Sequence, residues 1–252
     1  MNAKAVARSA QASQDTGEIP LVSIVLPTYN ERDTISDTIA GIFQHVRAPV
    51  EIIVVDDASP DETASHVRGL KDSRVTVIRR PATRGLASAF MRGIIESRGG
   101  IVGWMDADMS MPPSLLPTMI AALDNHDVAI GSRYAAGGED RRHPLRTLAS
   151  LAINRFAGLV LGHGIRDYDS GFVVVRRSVF DHALPIPRGY GEYFVEFVYA
   201  CCEKGLRVVE IPFVFKDRTR GVSKSFQGLL KFTILGSKYV IRVLSARLRR
   251  LD

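Results

Sequence analysis

The stretch Ile101-Val102-Gly103-Trp104-Met105-Asp106-Ala107-Asp108 decides the fold class of this 252-residue chain. Its first five residues are apolar, a pattern typical of a strand that is buried on both faces of a parallel sheet. Two carboxylates follow at once, separated by one alanine. Because ligands of open α/β sheets lie outside the carboxyl ends of the strands, this stretch predicts a binding site as well as a strand.

Two apolar strands upstream also end in polar clusters. Leu21–Pro27 precedes Thr28-Tyr29-Asn30-Glu31, and Glu51–Val55 precedes Asp56-Asp57-Ala58-Ser59-Pro60-Asp61. Apolar residues at helical spacing fill residues 31–46 between them. Alternating strands and helices predict an α/β fold, a mostly parallel sheet with helices on both faces. Three acidic clusters then meet at one edge, where they repel one another unless a cation or a donor-rich ligand joins them.

An Asp-x-Asp pair is a weak motif alone, but its place after the fourth predicted strand strengthens the interpretation. Carboxylates are hard oxygen ligands that suit Mg²⁺ or Mn²⁺, and such ions keep open positions for substrate phosphates. The expected role of the ion is to neutralise the charge that develops on a leaving diphosphate.

The composition favours acidic partners without choosing among them. The net charge of +6 suits nucleotides, lipid head groups or nucleic acid. We expect no nucleic-acid partner, because no binding motif of that kind is present. No secretory signal pattern and no apolar run of about 18–20 residues stands out. The two adjacent cysteines, Cys201 and Cys202, indicate buried thiols in a reducing compartment. The expected location is cytoplasmic, peripheral on the cytoplasmic face of a membrane.

Three segments are expected along the chain: a flexible tail over 1–19, a catalytic domain over 20–225 and a basic amphipathic helix over 226–252. One face of that helix is apolar and another is basic, which is typical of attachment to an anionic membrane surface. Alternatively, the helix covers the catalytic domain or binds a membrane partner subunit. The apolar set is Phe226, Leu230, Ile234, Ile241, Leu244 and Leu248, and the basic set is Lys231, Lys238, Arg242 and Arg249.

Seven segments together resemble a known family. The first three are those at the predicted strand ends: 23–31, 54–63 and 106–108. Four more narrow the resemblance: Arg84–Ala89, Gly131–Tyr134, Asp169–Phe172 and Arg218–Lys224. In this order, over residues 21–226, they resemble the family 2 glycosyltransferases of GT-A fold, and within these the polyprenol-phosphate (dolichol-phosphate) mannosyltransferases.

The resemblance implies roles for individual residues on the donor side. The base and ribose of a sugar nucleotide are expected on Pro27, Tyr29, Glu31, Val55 and Asp57, and its diphosphate and metal on Asp106, Ala107 and Asp108. Relatives often carry Gln two residues after the second Asp as a third metal ligand. Here that position is Ser110, whose hydroxyl is a weaker ligand.

Basic residues are implied for the phosphates. Arg133, Arg218 and Lys224 match family positions that contact donor or acceptor phosphate, and Arg146 and Ser170 are candidates for the acceptor phosphate. A guanidinium fork suits phosphate oxygens, and lysine offers a point charge. The expected catalytic set is Asp108, Arg133 and Arg218.

The implied reaction is a single displacement with inversion, in which a lipid phosphate oxygen attacks the anomeric carbon and the nucleoside diphosphate leaves. A phosphate nucleophile is already anionic, so catalysis rests on positioning and charge neutralisation, and we nominate no general base. GDP-mannose is the expected donor and a polyprenyl phosphate the expected acceptor. The alternatives are another donor such as UDP-glucose, a non-lipid acceptor, or a catalytically silent nucleotide-binding scaffold, against which the intact Asp pair argues. A separate membrane subunit is a further expected partner.

Overall fold

A computed structural model describes residues 20–82, 84–189, 191–216 and 229–248, and within 229–235 it describes the backbone alone. The tail predicted over 1–19 lies outside these residues, and so does the basic segment Arg218–Lys224.

The described residues form nine strands and seven α-helices. The strands are β1 (Val22–Thr28), β2 (Val50–Asp56), β3 (Val75–Arg79), β4 (Ile101–Trp104), β5 (Val128–Ser132), β6 (Glu139–Arg141), β7 (Val173–Arg176), β8 (Val208–Pro212) and β9 (Val214–Lys216). The helices are α1 (Ile35–His45), α2 (Thr63–Gly69), α3 (Leu86–Glu96), α4 (Leu116–Ala122), α5 (Pro144–Leu161), α6 (Tyr193–Glu203) and α7 (Leu229–Leu248). Short 3₁₀ helices at Pro113–Leu115 and Arg177–Asp181 complete the set.

The central sheet has seven strands in the order β3-β2-β1-β4-β7-β5-β8. All neighbouring pairs are parallel except those of β7, which runs antiparallel to both β4 and β5. The register pairs Trp104 of β4 and Ile130 of β5 with Val173, the first residue of β7. The segment before β7 therefore lies at the edge where β4 and β5 end.

Helices cover both faces of the sheet, as the sequence predicts. One apolar cluster packs α3, α5, α6 and α7 against one face and includes Phe90, Trp104 and Phe194. The other packs α1, α2 and α4 against the opposite face and includes Ile35 and Met119. The prediction of an α/β fold with a mostly parallel sheet and helices on both faces is confirmed.

The region after β5 is more ordered than a loop. The Gly-rich residues 135–143 contain β6, which pairs with β9 in a separate two-stranded sheet. Residues 208–216 are divided at Phe213 into β8 and β9. Phe213 is buried, its amide donates to the Ser132 carbonyl of β5, and its carbonyl accepts from the Glu139 amide of β6, so the residue bonds to both sheets.

Helix α7 packs against α5 and α6 and also has an exposed apolar side. Tyr239 and Val243 are buried on its inner side, where α7 contacts α5 and α6. Ile241, Leu244 and Leu248 are 63%, 45% and 83% exposed on its outer side. Within the described part of the chain, no helix is long and apolar enough to span a bilayer. Phe226 and Arg249 lie outside the described residues, as do the side chains of Leu230, Lys231 and Ile234.

The two cysteines are free thiols on α6, Cys201 buried and Cys202 half-buried. Burial raises the pKa of both, that of Cys202 to about 11. Both thiols are therefore protonated and unreactive near neutral pH.

The contact of α3 with β1 depends on a glycine. A Cβ at Gly93 would overlap the Val25 side chain. We expect Gly93→Ala to lower the free energy of unfolding by about 1–3 kcal/mol through overpacking, measured by urea denaturation.

The matched control is Gly69→Ala, because a Cβ at Gly69 meets nothing within 4 Å. This substitution should leave stability unchanged or raise it by up to about 1 kcal/mol. Equal effects of the two alanines would contradict the packing explanation.

Candidate functional site

A cavity of about 300 Å³ opens where β1, β2 and β4 end and α3 begins. Four acidic side chains take part in its wall, as the convergence of the strand ends predicts. Val55 lies fully buried within β2, and neither Val55 nor Ser110 lines the cavity. The lining residues are Pro27, Thr28, Tyr29, Glu31, Asp57, Arg84, Gly85, Leu86, Ala89, Asp106, Ala107 and Asp108.

Asp57 is fixed by a partner that the sequence did not suggest. Arg80 follows β3, is 8% exposed, and donates from Nε to Asp57 Oδ1 at 2.8 Å. A second guanidinium nitrogen donates to the same oxygen, and the Gly85 amide donates to Oδ2 at 2.8 Å. Three donors orient the buried carboxylate and leave acceptor capacity on Oδ2 for a ligand.

The rim of the cavity brings an aromatic ring and a cation together. The Arg84 guanidinium carbon lies 5.3 Å from the centroid of the Tyr29 ring, and Arg84 is exposed. Glu31, three residues after the end of β1, is buried, and its amide donates to Thr63 Oγ1 at 3.1 Å. A flat heterocycle with N–H donors suits a wall of this composition.

Two threonines at the start of the first helix hold the centre of the Asp-x-Asp segment. The Oγ1 atoms of Thr34 and Thr38 each lie 3.0 Å from the Ala107 carbonyl oxygen. Both side chains are buried; Thr34 directly precedes α1, and Thr38 follows four residues later within it. Their four-residue spacing was visible in the sequence, but the carbonyl they meet was not.

The oxygen ligands at this segment fit a divalent cation that completes its shell from substrate. Asp108 Oδ1 accepts from the Ser110 amide at 3.1 Å and from the Ser110 hydroxyl at 2.5 Å. Among the described residues no group of three His, Cys, Asp or Glu is placed to hold a metal. Asp106 and Asp108 thus offer two carboxylates, which suits Mg²⁺ or Mn²⁺ with phosphate and water as further ligands.

Backbone strain marks the same three strand ends. Asn30, Ala58 and Met109 have φ of 56°, 54° and 64°, and each follows a different strand of the cavity. The left-handed conformation costs a residue other than glycine about 1–2 kcal/mol. Such strain persists where surrounding structure enforces it, and it concentrates at functional sites.

Arg133 lies in a second cluster, at the end of β5, and does not line the cavity. It is 3% exposed and forms a bidentate pair with Asp167, at 2.9 Å from Nε and 2.7 Å from Nη2. Its Nη2 lies 3.5 Å from Asp169 Oδ2. The antiparallel direction of β7 brings these two aspartates to the site edge.

The Arg133 cluster contains three carboxylates and two guanidiniums. Asp140 is paired with Arg142 and lies 4.0 Å from Arg133 Nη1. Burial alone raises the pKa of Asp140, but the two arginines outweigh it and hold the pKa at about 2. Burial likewise raises the pKa of Asp169, and there it dominates. The acids neutralise and orient the buried arginines.

The other predicted phosphate residues divide into three groups. Arg146 is half-buried in the first turn of α5, four residues before Ser150, whose hydroxyl lies 3.4 Å from Asp169 Oδ2. Ser170 is buried, and its hydroxyl donates to the Gly131 carbonyl. Arg218 and Lys224 lie outside the described residues.

The threonine contact on Ala107 can be tested by Thr38→Val, which keeps the shape and removes the hydroxyl. We expect the free energy of unfolding to fall by about 1–2 kcal/mol, because a buried carbonyl loses a donor. Since Ala107 lies between the two carboxylates, Mn²⁺ affinity measured by calorimetry should fall as well.

Thr76→Val on β3 is the control, because Thr76 is exposed. It should alter neither quantity. If Thr38→Val left Mn²⁺ affinity unchanged, the threonines would support the fold alone.

Comparisons of sequence agree with the motifs. A family model described as glycosyl transferase family 2 matches residues 23–184. Dolichol-phosphate mannosyltransferase of Pyrococcus furiosus is 37% identical over 213 residues, covering 81% of this chain and 58% of that protein. This chain thus spans little more than half the length of the Pyrococcus protein. Polyprenol monophosphomannose synthase of Mycolicibacterium smegmatis is 35% identical over 212 residues, covering 80% of this chain and 79% of that one.

Solved structures agree with the fold. Glucosyl-3-phosphoglycerate synthase from Mycobacterium tuberculosis, in complex with Mn²⁺, UDP and glucosyl-3-phosphoglycerate, superposes with a TM-score of 0.69 at 20% identity, covering 94% of this chain and 81% of that chain. A complex of the same enzyme with Mg²⁺ and UDP gives a TM-score of 0.69 at 18% identity, covering 95% and 82%. At these identities the likeness concerns the fold alone. With the family model matching well over half of its length, the chain belongs to glycosyl transferase family 2.

Proposed function

We propose that this chain is an inverting transferase that moves mannose from GDP-mannose to a polyprenyl phosphate at a membrane surface. The main support is the cavity at the strand ends. Its wall includes Asp57, which follows β2, and Asp106 and Asp108, which follow β4. The relatives named as mannosyltransferases of dolichol, polyprenol and undecaprenyl phosphate supply the sugar and the acceptor class.

The donor is proposed to bind with its base between Tyr29 and the Asp57 carboxylate. Asp57 has acceptor capacity for a ring N–H or amino group, and its three protein donors hold its carboxylate in place. Pro27 and Glu31 complete the wall of the proposed nucleoside region, and Val55, buried within β2, is proposed to support that wall from behind. Arg84, over the Tyr29 ring, adds a cation near the nucleotide.

The diphosphate is proposed to meet Asp106 and Asp108 through Mg²⁺ or Mn²⁺, with Ser110 holding Asp108. A bound ion supplies Lewis-acid neutralisation of the leaving diphosphate. Arg218 and Lys224 are proposed to contact donor phosphate. Structural neighbours that hold Mn²⁺ or Mg²⁺ together with UDP support a metal of this class.

The acceptor phosphate is proposed to lie between the donor cavity and the Arg133 cluster, with Arg146 and Ser170 nearby. The two aspartates on Arg133 fix its guanidinium in one orientation before the acceptor arrives. Preorganised cations of this kind lower the barrier by positioning and charge neutralisation, so the chain needs no strong base.

Attachment to the membrane is proposed through the outer side of α7. Ile241, Leu244 and Leu248 form an exposed apolar row there, and Lys238 and Arg247 are exposed on the same helix. Apolar residues flanked by cations suit an anionic lipid surface. A separate membrane subunit is a further proposed partner, and the cytoplasmic face is proposed from the two free thiols.

The activity is tested by incubating the protein with Mn²⁺, a short polyprenyl phosphate and one of several labelled nucleotide sugars. An organic-soluble labelled product is expected with GDP-mannose. Product from UDP-glucose instead would replace the donor. If no nucleotide sugar gave a product while nucleotide binding persisted, the silent-scaffold alternative would stand.

The metal assignment is tested by Asp108→Ala, with the exposed Asp124→Ala as control. We expect Asp108→Ala to lower kcat/KM by at least about 100-fold with the fold intact by circular dichroism, because a main electrostatic stabiliser is lost. Wild-type activity in Asp108→Ala would refute the assignment.

Membrane attachment is tested by replacing Ile241 and Leu244 together with Asn, and binding is measured on sedimented vesicles of phosphatidylglycerol and phosphatidylcholine. Partitioning should weaken at least about tenfold, because two apolar side chains no longer enter the bilayer. Ile95→Asn, an exposed isoleucine on α3, is the control. Unaltered partitioning of the α7 variant would leave α7 as a covering helix.

A further inference from the structure

We propose that Tyr239 on α7 acts through Asp169 as a positioning residue for Arg133 in the acceptor half of the site. This inference rests on the proposed function, in which Arg133 meets the acceptor phosphate. It gives the C-terminal helix a role in the reaction besides covering the domain.

The link is a chain of direct contacts. The Tyr239 hydroxyl donates to Asp169 Oδ1. The other oxygen of that carboxylate, Oδ2, lies 3.5 Å from Arg133 Nη2 and 3.4 Å from the Ser150 hydroxyl. Tyr239 is 6% exposed, so its phenol reaches the cluster out of contact with water. One carboxylate therefore joins α7, α5 and the end of β5.

A glycine leaves the space that this link needs. A Cβ at Gly191, just before α6, would overlap the Tyr239 hydroxyl and would lie 3.3 Å from Asp169 Oδ1. The absence of a side chain serves the approach of the phenol to the carboxylate.

The electrostatics of Asp169 explain why the phenol matters. Burial raises the pKa of this carboxyl, while Arg133 and the Tyr239 hydroxyl favour its charged form. Without the phenol, the buried carboxylate loses a donor and is driven to protonate or to turn away. Arg133 then keeps Asp167 but loses the second carboxylate that fixes its Nη2 side.

The docking of α7 does not depend on this contact alone. Arg242 on α7 donates to Glu196 on α6 at 3.1 Å, and Arg247 donates to the Tyr199 hydroxyl at 3.2 Å. Val243 is fully buried in the same interface. Removing one hydroxyl from Tyr239 should therefore leave the helix in place and change the Arg133 cluster specifically.

The experiment is Tyr239→Phe in the full chain, with KM measured separately for a short polyprenyl phosphate and for GDP-mannose. We expect the acceptor KM to rise about tenfold, the size of one hydrogen bond to a charged group, with the donor KM unchanged. Tyr199→Phe is the matched control, since it also removes a phenol hydroxyl from the α7 interface but lies outside the Arg133 cluster. It should change neither KM.

Gly191→Ala gives an independent test, because it displaces the phenol without altering Tyr239. It should reproduce the rise in acceptor KM, and the double variant should be no worse than either single one, since both break the same link. An equal rise in both KM values, or the same acceptor effect in Tyr199→Phe, would overturn the proposal.

A readout without turnover separates this inference from the proposed function. The Arg133 Nε–H resonance, identified by its loss in Arg133→Lys, should shift in Tyr239→Phe and Gly191→Ala but not in Tyr199→Phe. An unmoved resonance overturns the positioning role. A shifted resonance in a protein that transfers no sugar to polyprenyl phosphate supports the positioning role and defeats the proposed function.

Discussion

Parallel pairing of β1 with both β2 and β4 is the constraint on which the rest of the site depends. The register sets Thr28 beside Asp56 and Val25 beside Trp104, so all three strands end at one edge. Carboxylates brought together there repel one another, and the fold offsets this locally. Arg80 and the Gly85 amide hold Asp57, and Ser110 holds Asp108. Asn30, Ala58 and Met109, which follow these three strands, have left-handed backbones that the surrounding structure must enforce.

The two halves of the site differ in how their charges are paired. Around the cavity, Glu31, Asp57, Asp106 and Asp108 outnumber the nearby arginines, which favours a ligand that arrives with a cation. In the Arg133 cluster, three carboxylates face two arginines, so the guanidinium charges are neutralised within the protein and held in fixed directions. Every carboxylate of that cluster lies within 4.0 Å of an arginine, whereas among the described residues that line the cavity Arg84 is the single cation beside four carboxylates.

Sequence patterns predicted the parts of this molecule that depend on neighbours along the chain. Apolar runs located the strands, and parallel topology placed their acidic ends together. The sequence did not predict which side chains tertiary packing would bring together. Arg80 is 23 positions from its partner Asp57, and Asp167 is 34 positions from its partner Arg133. Phe213 stands between β8 and β9 with hydrogen bonds to Ser132 and Glu139, and no local pattern in the sequence marks these distant contacts. Helix α7 has two apolar sides, and periodicity alone could not tell which one the domain would bury.

The place of β7 in the chain has a consequence for the order in which the two halves of the site can form. Strands β1 to β4 and all the described residues that line the cavity lie between positions 22 and 108, so this half is built from the first part of the chain. Asp167 and Asp169 reach Arg133 only after β7 has entered between β4 and β5. Since synthesis runs from the N-terminus, the strand pairings around the cavity can form before the Arg133 cluster exists.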